Sequence, residues 1–274
     1  MKITITKTAL EIDATKAIHA AIARATNGSK IVIPDGAWPC SGPVKVLDKN
    51  ITIDCEGTVT LYPAKTYVDD GSPFFTFGAT NPREKFLQRQ QINGLVLCSG
   101  GDNATAPKVG LRLLNVNFSI IDKIRVEYFD TAYQQWTSEG MFSYGNELRS
   151  CYAMQAKIAF QQTGVPDPKW GLQATGTRLT NFSNESQDRL ECLFELEGQS
   201  NRATNVWSQG GNNPVLIKST GGGNNVVEMA HFEAEVYPCG VLFKSNGNTL
   251  RTNGRNIGEW LHVYGYGYQG NSVT

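Results

Sequence analysis

The chain has 274 residues, and its 25 basic and 25 acidic side chains balance to a formal charge of zero. That balance argues against a broad nucleic-acid-binding face. No apolar run approaches the roughly 18–20 residues that insertion into a membrane requires. The length can bury a large core, in one elongated domain or in two compact ones. The first residues, Met1-Lys2-Ile3-Thr4-Ile5, alternate as a strand does and lack the apolar block of a secretory signal, so folding in a cytoplasm is expected.

A helix follows. Asp13 or Thr15 can cap it by accepting hydrogen bonds from free backbone N–H groups, and Ala17, Ile18, Ala21, Ile22 and Ala25 form an apolar stripe that Asn27-Gly28 ends. So short and alanine-rich a helix needs a larger surface to lie on. Ile31-Val32-Ile33 then reads as a buried strand, followed by Pro34, Gly36 and Trp38. No second convincing helix appears in the rest of the chain.

The series Asp13, Thr15, Ala17-Ile18, Ala21-Ile22, Gly28, Ile31-Val32-Ile33, Pro34, Gly36 and Trp38 resembles the N-terminal pattern of the pectate-lyase-like superfamily, in particular of phage tailspike and capsule-depolymerase proteins. The resemblance spans about a tenth of the chain, is specific for architecture and includes no catalytic residue. It implies an all-β fold: a right-handed, single-stranded parallel β-helix (β-solenoid) whose open N-terminal end is plugged by the capping α-helix. One domain over 1–274 is expected, with strand, helix and first turn in 1–42 and stacked turns with lateral loops in 43–274. The resemblance further implies a homotrimer on a virion, folded in the host cytoplasm, whose partners are a bacterial capsular or O-antigen polysaccharide and other virion tail proteins. Tailspike relatives often carry an anchoring region before the cap and trimer-forming domains after the β-helix, and both are expected to be absent here.

Internal repetition strengthens toward the C-terminus. Val215-Leu216-Ile217-Lys218-Ser219 and Val241-Leu242-Phe243-Lys244-Ser245 lie 26 positions apart, each followed by Gly/Asn-rich sequence. Phe194-Glu195-Leu196-Glu197 fits one turn earlier and Leu261-His262-Val263-Tyr264 one turn later. Alternation sends Phe194, Leu196, Val215, Ile217, Val241 and Phe243 inward. On this alignment Glu195, Leu216 and Leu242 form one outward row, and Glu197, Lys218 and Lys244 another, with an ion pair between Glu197 and Lys218. A Rossmann-like sheet would need a helix between successive strands, which the Asn/Gly-rich links 220–225 and 246–256 cannot supply. A β-sandwich remains a structural alternative. Segments 63–91, 131–147 and 161–173 break the rhythm and are expected to wall a lateral groove or to contact a neighbouring subunit.

Six cysteines, Cys40, Cys55, Cys98, Cys151, Cys192 and Cys239, lie far apart with no Cys-x-x-Cys pair, as suits buried reduced thiols and not a metal site. No cofactor or metal is expected. No nucleophile elbow or phosphate loop is present either. Hydrolysis of a polysaccharide needs only two carboxylates in an open groove, one to protonate the leaving oxygen and one to activate water or attack the sugar.

His231-Phe232-Glu233-Ala234-Glu235-Val236 offers such a pair, with Phe232, Ala234 and Val236 inward and His231, Glu233 and Glu235 outward. Two positions along a strand give an offset of roughly 6.6 Å, at the lower edge of inverting geometry. Glu235 is therefore the candidate general acid, Glu233 the carboxylate activating water, and His231 a sugar contact. Glu195 is the reserve carboxylate, ranked above Glu197 because Lys218 explains Glu197. Alternating Glu on a solvated strand is equally ordinary surface.

Trp260, His262, Tyr264, Tyr266 and Tyr268 put ring-bearing side chains on one face of a final strand, for stacking on sugars or for contact with another subunit. Trp260, His262, Tyr264 and Tyr266 join His231 as candidate substrate-binding residues, whereas Trp207 is expected in the core. No Asp follows Asp188, which favours hydrolysis over calcium-assisted elimination. The rival readings are a noncatalytic receptor-binding or structural spike on the same rod, and an enzyme acting on bacterial cell-wall polysaccharide.

Overall fold

The structure is a computed structural model that describes residues 1–80, 90–100, 107–169, 171–211, 214–233, 239–252, 261–264 and 269–274, with the backbone alone at 239 and 261–264. Among these residues the strands pair in parallel with the strand one coil before and one coil after, which builds a β-solenoid with three sheet faces. Parallel stacking excludes the β-sandwich, and among the described residues Lys7–Arg24 is the one α-helix, with no crossover helix between successive strands as a Rossmann-like sheet requires.

The first face shows the coil period directly. Ile3, Ile31, Ile53, Ile92, Ile121, Leu148, Leu179, Ala203, Val227, Leu250 and Val273 stand in one column, each in register with the next. All but Val273 are buried. From Leu179 onward the spacing settles at 23 or 24 residues per coil. Burying one such side chain stabilises the fold by about 1.5–3 kcal/mol, and one coil alone offers no partner for it.

The second face is reached by a sharp corner at which Gly57, Gly94, Lys123, Ser150, Asn181 and Asn205 all take positive φ. Its inward column runs Trp38, Leu61, Leu97, Val126, Ala153, Asn184, Ser208 and Phe232. The third face stacks Phe75, Leu111, Tyr133, Phe160, Phe194, Ile217 and Val241. Expected inward side chains Phe194, Leu196, Ile217, Val241 and Phe243 are buried, and Val215 is only half-buried.

Between the third and first faces, buried polar side chains replace apolar ones. Asn201, Asn225, Asn248 and Asn271 form a ladder in which the Oδ1 of each of the last three accepts from the backbone N–H and the Nδ2 of the asparagine one coil earlier, at 2.7–3.2 Å. Thr177 N–H donates to Asn201 at 3.0 Å, and Ser119 N–H to Asn146 at 3.1 Å, so the ladder starts well before the Asn-rich sequence. These bonds satisfy backbone groups that would otherwise be buried without partners.

The helix Lys7–Arg24 packs on the strands Gly36–Cys40 and Val44–Leu47 through Leu10, Ala14, Ile18, Ala21 and Ile22. It is longer than the stripe implied, because Thr6 caps an extra N-terminal segment that breaks at Asp13 (φ −166°, ψ 104°). Asp13 then caps the second segment, accepting from Thr15 N–H at 3.0 Å and Lys16 N–H at 3.4 Å. The same carboxylate accepts from Ser41 Oγ at 2.7 Å, and Thr15 Oγ1 donates to Gly42 O at 2.8 Å, so the capping residues also fasten the helix to the first coil.

Two expectations about the sequence are corrected. Of the three interruptions, 63–91 contains the strand Phe75–Gly78, while Thr131–Thr137 and Ile158–Gly164 are regular strands of the third face. Among the described residues the excursions are instead 64–74, 138–146 and 165–177, and 81–89 of the first interruption lies outside the described residues. Leu216, expected outward, is fully buried: Gly110, Ala132, Ala159, Leu193 and Leu216 share the position where the chain rounds the corner into the third face, and there two consecutive residues point inward. Of the cysteines with described side chains, Cys40, Cys151 and Cys192 are buried, Cys55 and Cys98 half-buried, and all are free thiols; burial pushes Cys40, Cys55 and Cys151 up to about 12.

Candidate functional site

The outward side of the third face carries a continuous polar row. Arg112, Gln134, Gln161, Glu195 and Lys218 occupy one position on five successive strands. Arg112 Nε donates to Gln134 Oε1 at 2.6 Å, Gln134 Nε2 to Gln161 Oε1 at 2.5 Å, and Gln161 Nε2 to Glu195 Oε2 at 2.7 Å. Lys218 Nζ donates to the other oxygen, Glu195 Oε1. Chemistry fixes the direction of this chain: a guanidinium only donates and a carboxylate only accepts, so each amide between them has one permitted orientation. The Arg112 guanidinium also lies 4.9 Å above the Trp136 ring, and burial lowers its pKa.

The Glu195 carboxylate is only 12% exposed beneath Lys218, whose pKa is raised first by its hydrogen bond to Glu195. The expected Glu197–Lys218 pair is therefore replaced by Glu195–Lys218, and Lys218 is followed by Leu242 and not by Lys244. The true register is shifted by two residues from the alignment of the repeated Val-Leu-x-Lys-Ser segments. Because strand faces alternate with period two, this slip preserves inside and outside but changes every outward partner.

Glu197, two residues along, accepts from Thr163 Oγ1 at 2.6 Å. It opens on a cleft of about 470 Å³ walled by Gly164, Pro166 and Leu172 on one side and by Thr220 and Gly221 on the other. A second cleft of about 240 Å³, between Asp69, Ser72, Lys108 and Arg112, lies against the opposite end of the row. Excursions 64–74 and 165–177 thus flank the polar row on its two sides. The arrangement offers a floor of amides and paired charges, an aromatic ring, and a carboxylate at the mouth of a cleft.

Those residues singled out from sequence that the structure describes divide between two faces. Glu195 lies in the groove floor. His262 and Tyr264 belong to the strand Leu261–Tyr264, where Tyr264 follows Leu242 in the same row as Glu195 and Lys218. Their side chains lie outside the described residues, as do Trp260, Tyr266, Tyr268 and Glu235. His231 and Glu233 point outward as expected, with Phe232 inward, but on the second face. They are 48% and 60% exposed, and His231 Nε2 lies 3.8 Å from Glu233 Oε2. Trp207, expected in the core, faces outward and stacks on His231. Sequence reasoning missed Arg112, Gln134, Trp136 and Gln161. The signal was the Gln-Gln pair at 134–135 and again at 161–162, in which one Gln faces the groove and the other, Gln135 or Gln162, is buried in the corner network.

No family model matches the sequence, and no curated protein is similar to it in sequence. Solved structures do match. The ORF18 protein of Geobacillus virus E2 superposes with a TM-score of 0.62 at 12% identity, over 99% of this chain and 60% of its own length. A PL6 alginate lyase solved in complex with a trisaccharide gives 0.55 at 11% identity, over 93% of this chain and 59% of its own. Pectate lyase Pel9A gives 0.52 at 14% identity, covering 93% and 71%. This chain thus spans about 60% of the length of the first two. At such identities the likeness concerns the backbone, and in that respect the chain shares the parallel β-solenoid fold of these proteins.

Proposed function

We propose that the chain binds a bacterial capsular or O-antigen polysaccharide along the groove of its third face and hydrolyses it. The observation that carries this reading is the polar row Arg112–Gln134–Gln161–Glu195–Lys218, preoriented by its own hydrogen bonds and flanked by two clefts. Preordered donors and acceptors lower the entropic cost of holding a flexible polymer. Glu197, at the cleft mouth, is the proposed general acid. Glu195, about 6.6 Å away along the strand, is the second carboxylate, at the lower edge of the spacing that leaves room for a water. Glu233, on the second face, and its neighbour in sequence Glu235 remain the alternative pair. The right-handed winding expected of parallel crossovers, a single domain, a homotrimer and a place on a virion belong to the same proposal; the structural likeness to a phage protein supports the last of these.

One observation favours binding without cleavage: Lys218 and Gln161 occupy both oxygens of Glu195. The test is incubation with a panel of capsular and O-antigen polysaccharides, followed by polymer size and end-group analysis. New reducing ends are expected. Ultraviolet-absorbing unsaturated ends would replace hydrolysis with elimination, and bound but full-length polymer would leave attachment as the function.

A further inference from the structure

The second face carries an aromatic cluster that the groove does not use. Arg125, Tyr152, Ser183, Trp207 and His231 stand in one outward row. The Arg125 guanidinium lies 4.9 Å from the centre of the Tyr152 ring. Trp207 and His231 stack with centroids 5.7 Å apart and planes 14° from parallel. Ser183 separates Tyr152 from Trp207, so one face of the indole is covered by His231 and the other looks across a small side chain. Two strand spacings, about 9.6 Å, separate the strands bearing the two rings. A group packed between them at carbon contacts of about 4 Å on each side needs about 8 Å.

The neighbouring outward row supplies hydrogen-bond acceptors. It contains Glu127, Met154, Glu185, Gln209 and Glu233. Glu127 is paired with Arg125, and Glu185 accepts from the Tyr152 hydroxyl, which fixes the ring beside the notch. Glu233 is 60% exposed. We propose that this notch is a saccharide-binding subsite, separate from the groove, that takes one neutral pyranose between Tyr152 and Trp207. The rings receive the C–H face of the sugar, and the flanking carboxylates accept from its hydroxyls. Carboxylates lining the row disfavour an anionic sugar. A second copy of the chain is a poor occupant, because none of the large hydrophobic side chains exposed among the described residues lies in these two rows, and a protein interface needs an apolar centre.

The inference does not rest on the groove. Its test uses the chain labelled with 5-fluorotryptophan, which gives a signal for each of the five tryptophans, with that of Trp207 assigned by Trp207→Phe. Methyl glycosides of glucose, galactose, mannose and N-acetylglucosamine are titrated to about 100 mM, the range for a single weakly held ring. Saturable movement of the Trp207 signal by at least one glycoside is expected, together with at least tenfold weaker binding in Ser183→Tyr, which fills the notch. Saturation transfer from protein to glycoside, lost in Trp207→Ala, gives a second readout should Ser183→Tyr fail to fold. Glu197→Gln is expected to leave the Trp207 response unchanged, so failure of the groove reading and of this one are distinguishable. A Trp207 signal unmoved by all four glycosides would overturn the proposal. So would movement that survives in Ser183→Tyr, or a self-association abolished by Trp207→Ala.

Discussion

Replacing Asn225 by Ala tests the polar ladder that holds the coils in register. The Asn225 Oδ1 accepts from Asn201 N–H at 3.0 Å and Asn201 Nδ2 at 2.8 Å, and its Nδ2 lies 3.1 Å from both Ser219 Oγ and Asn248 Oδ1 and 3.3 Å from Gly198 O. Asn201 Nδ2 keeps Gln162 Oε1 at 2.6 Å after the change, but the buried Asn201 N–H loses its acceptor. An unpaired buried donor costs about 1–3 kcal/mol and the remaining amide bonds contribute about 1 kcal/mol net, so a loss of about 2–4 kcal/mol is expected in urea unfolding. Arg202→Ala is the matched control: its ion pair with Glu228 is exposed, and the change is expected to cost less than about 1 kcal/mol. An Asn225→Ala loss below about 0.5 kcal/mol, or one equal to the control, would refute the claim that the ladder is a principal stabiliser.

Three further outcomes follow from particular contacts. Burial alone raises the Asp13 carboxyl, but hydrogen bonds from Ser41 and Lys16 outweigh it and hold its pKa below the ordinary range. Its stabilisation is therefore complete above its unfolded value of about 3.9 and lost as pH falls through the folded one; Asp13→Ala is expected to cost about 1–2 kcal/mol at neutral pH in equilibrium unfolding, and the difference to vanish in acid. Lys218 titrates higher in the fold than in the unfolded chain. Its pairing thus stabilises below about pH 10.4 and is lost as pH rises through the folded value, so Lys218→Met is expected to narrow its deficit against wild type at the alkaline end of a stability profile. A Cβ on Gly164 would lie 2.0 Å from Thr137 O, so Gly164→Ala is expected to destabilise by about 1–3 kcal/mol and to shift the 165–177 wall of the cleft, read by urea unfolding and by proteolysis of that loop.

Much of the architecture was legible because it is written locally. The capping residue Asp13, the apolar stripe through Ile18 and Ile22, and the strand at Ile31–Ile33 need only neighbours along the chain to be read. The break at Asp13 was not legible, since it depends on Ser41, 28 positions away. Register was misread because the likeness of Val215–Ser219 to Val241–Ser245 suggested 26 residues per coil, whereas an irregularity between Val215 and Ile217 brings Ile217 opposite Val241. That slip exchanged the roles of Glu195 and Glu197, and so removed the argument for ranking one above the other. The groove was hidden for a further reason: Arg112, Gln134, Gln161 and Glu195 are separated by 22 to 34 positions and become neighbours only through stacking. The sequence suggests the core for Trp207, but the positive φ at Asn205 turns the chain so that Val206 enters the core and Trp207 faces out.

The most direct test of the groove as the working surface compares single amide variants on one polysaccharide that the wild-type chain shortens. Reducing-end release and polymer binding are measured side by side for Glu197→Gln, Glu195→Gln, Glu233→Gln and Glu235→Gln. Loss of cleavage with retained binding in Glu197→Gln, and near wild-type rates in Glu233→Gln and Glu235→Gln, is the predicted result. Full activity in Glu197→Gln, with loss in Glu233→Gln or Glu235→Gln, would contradict it and remove the groove as the working surface.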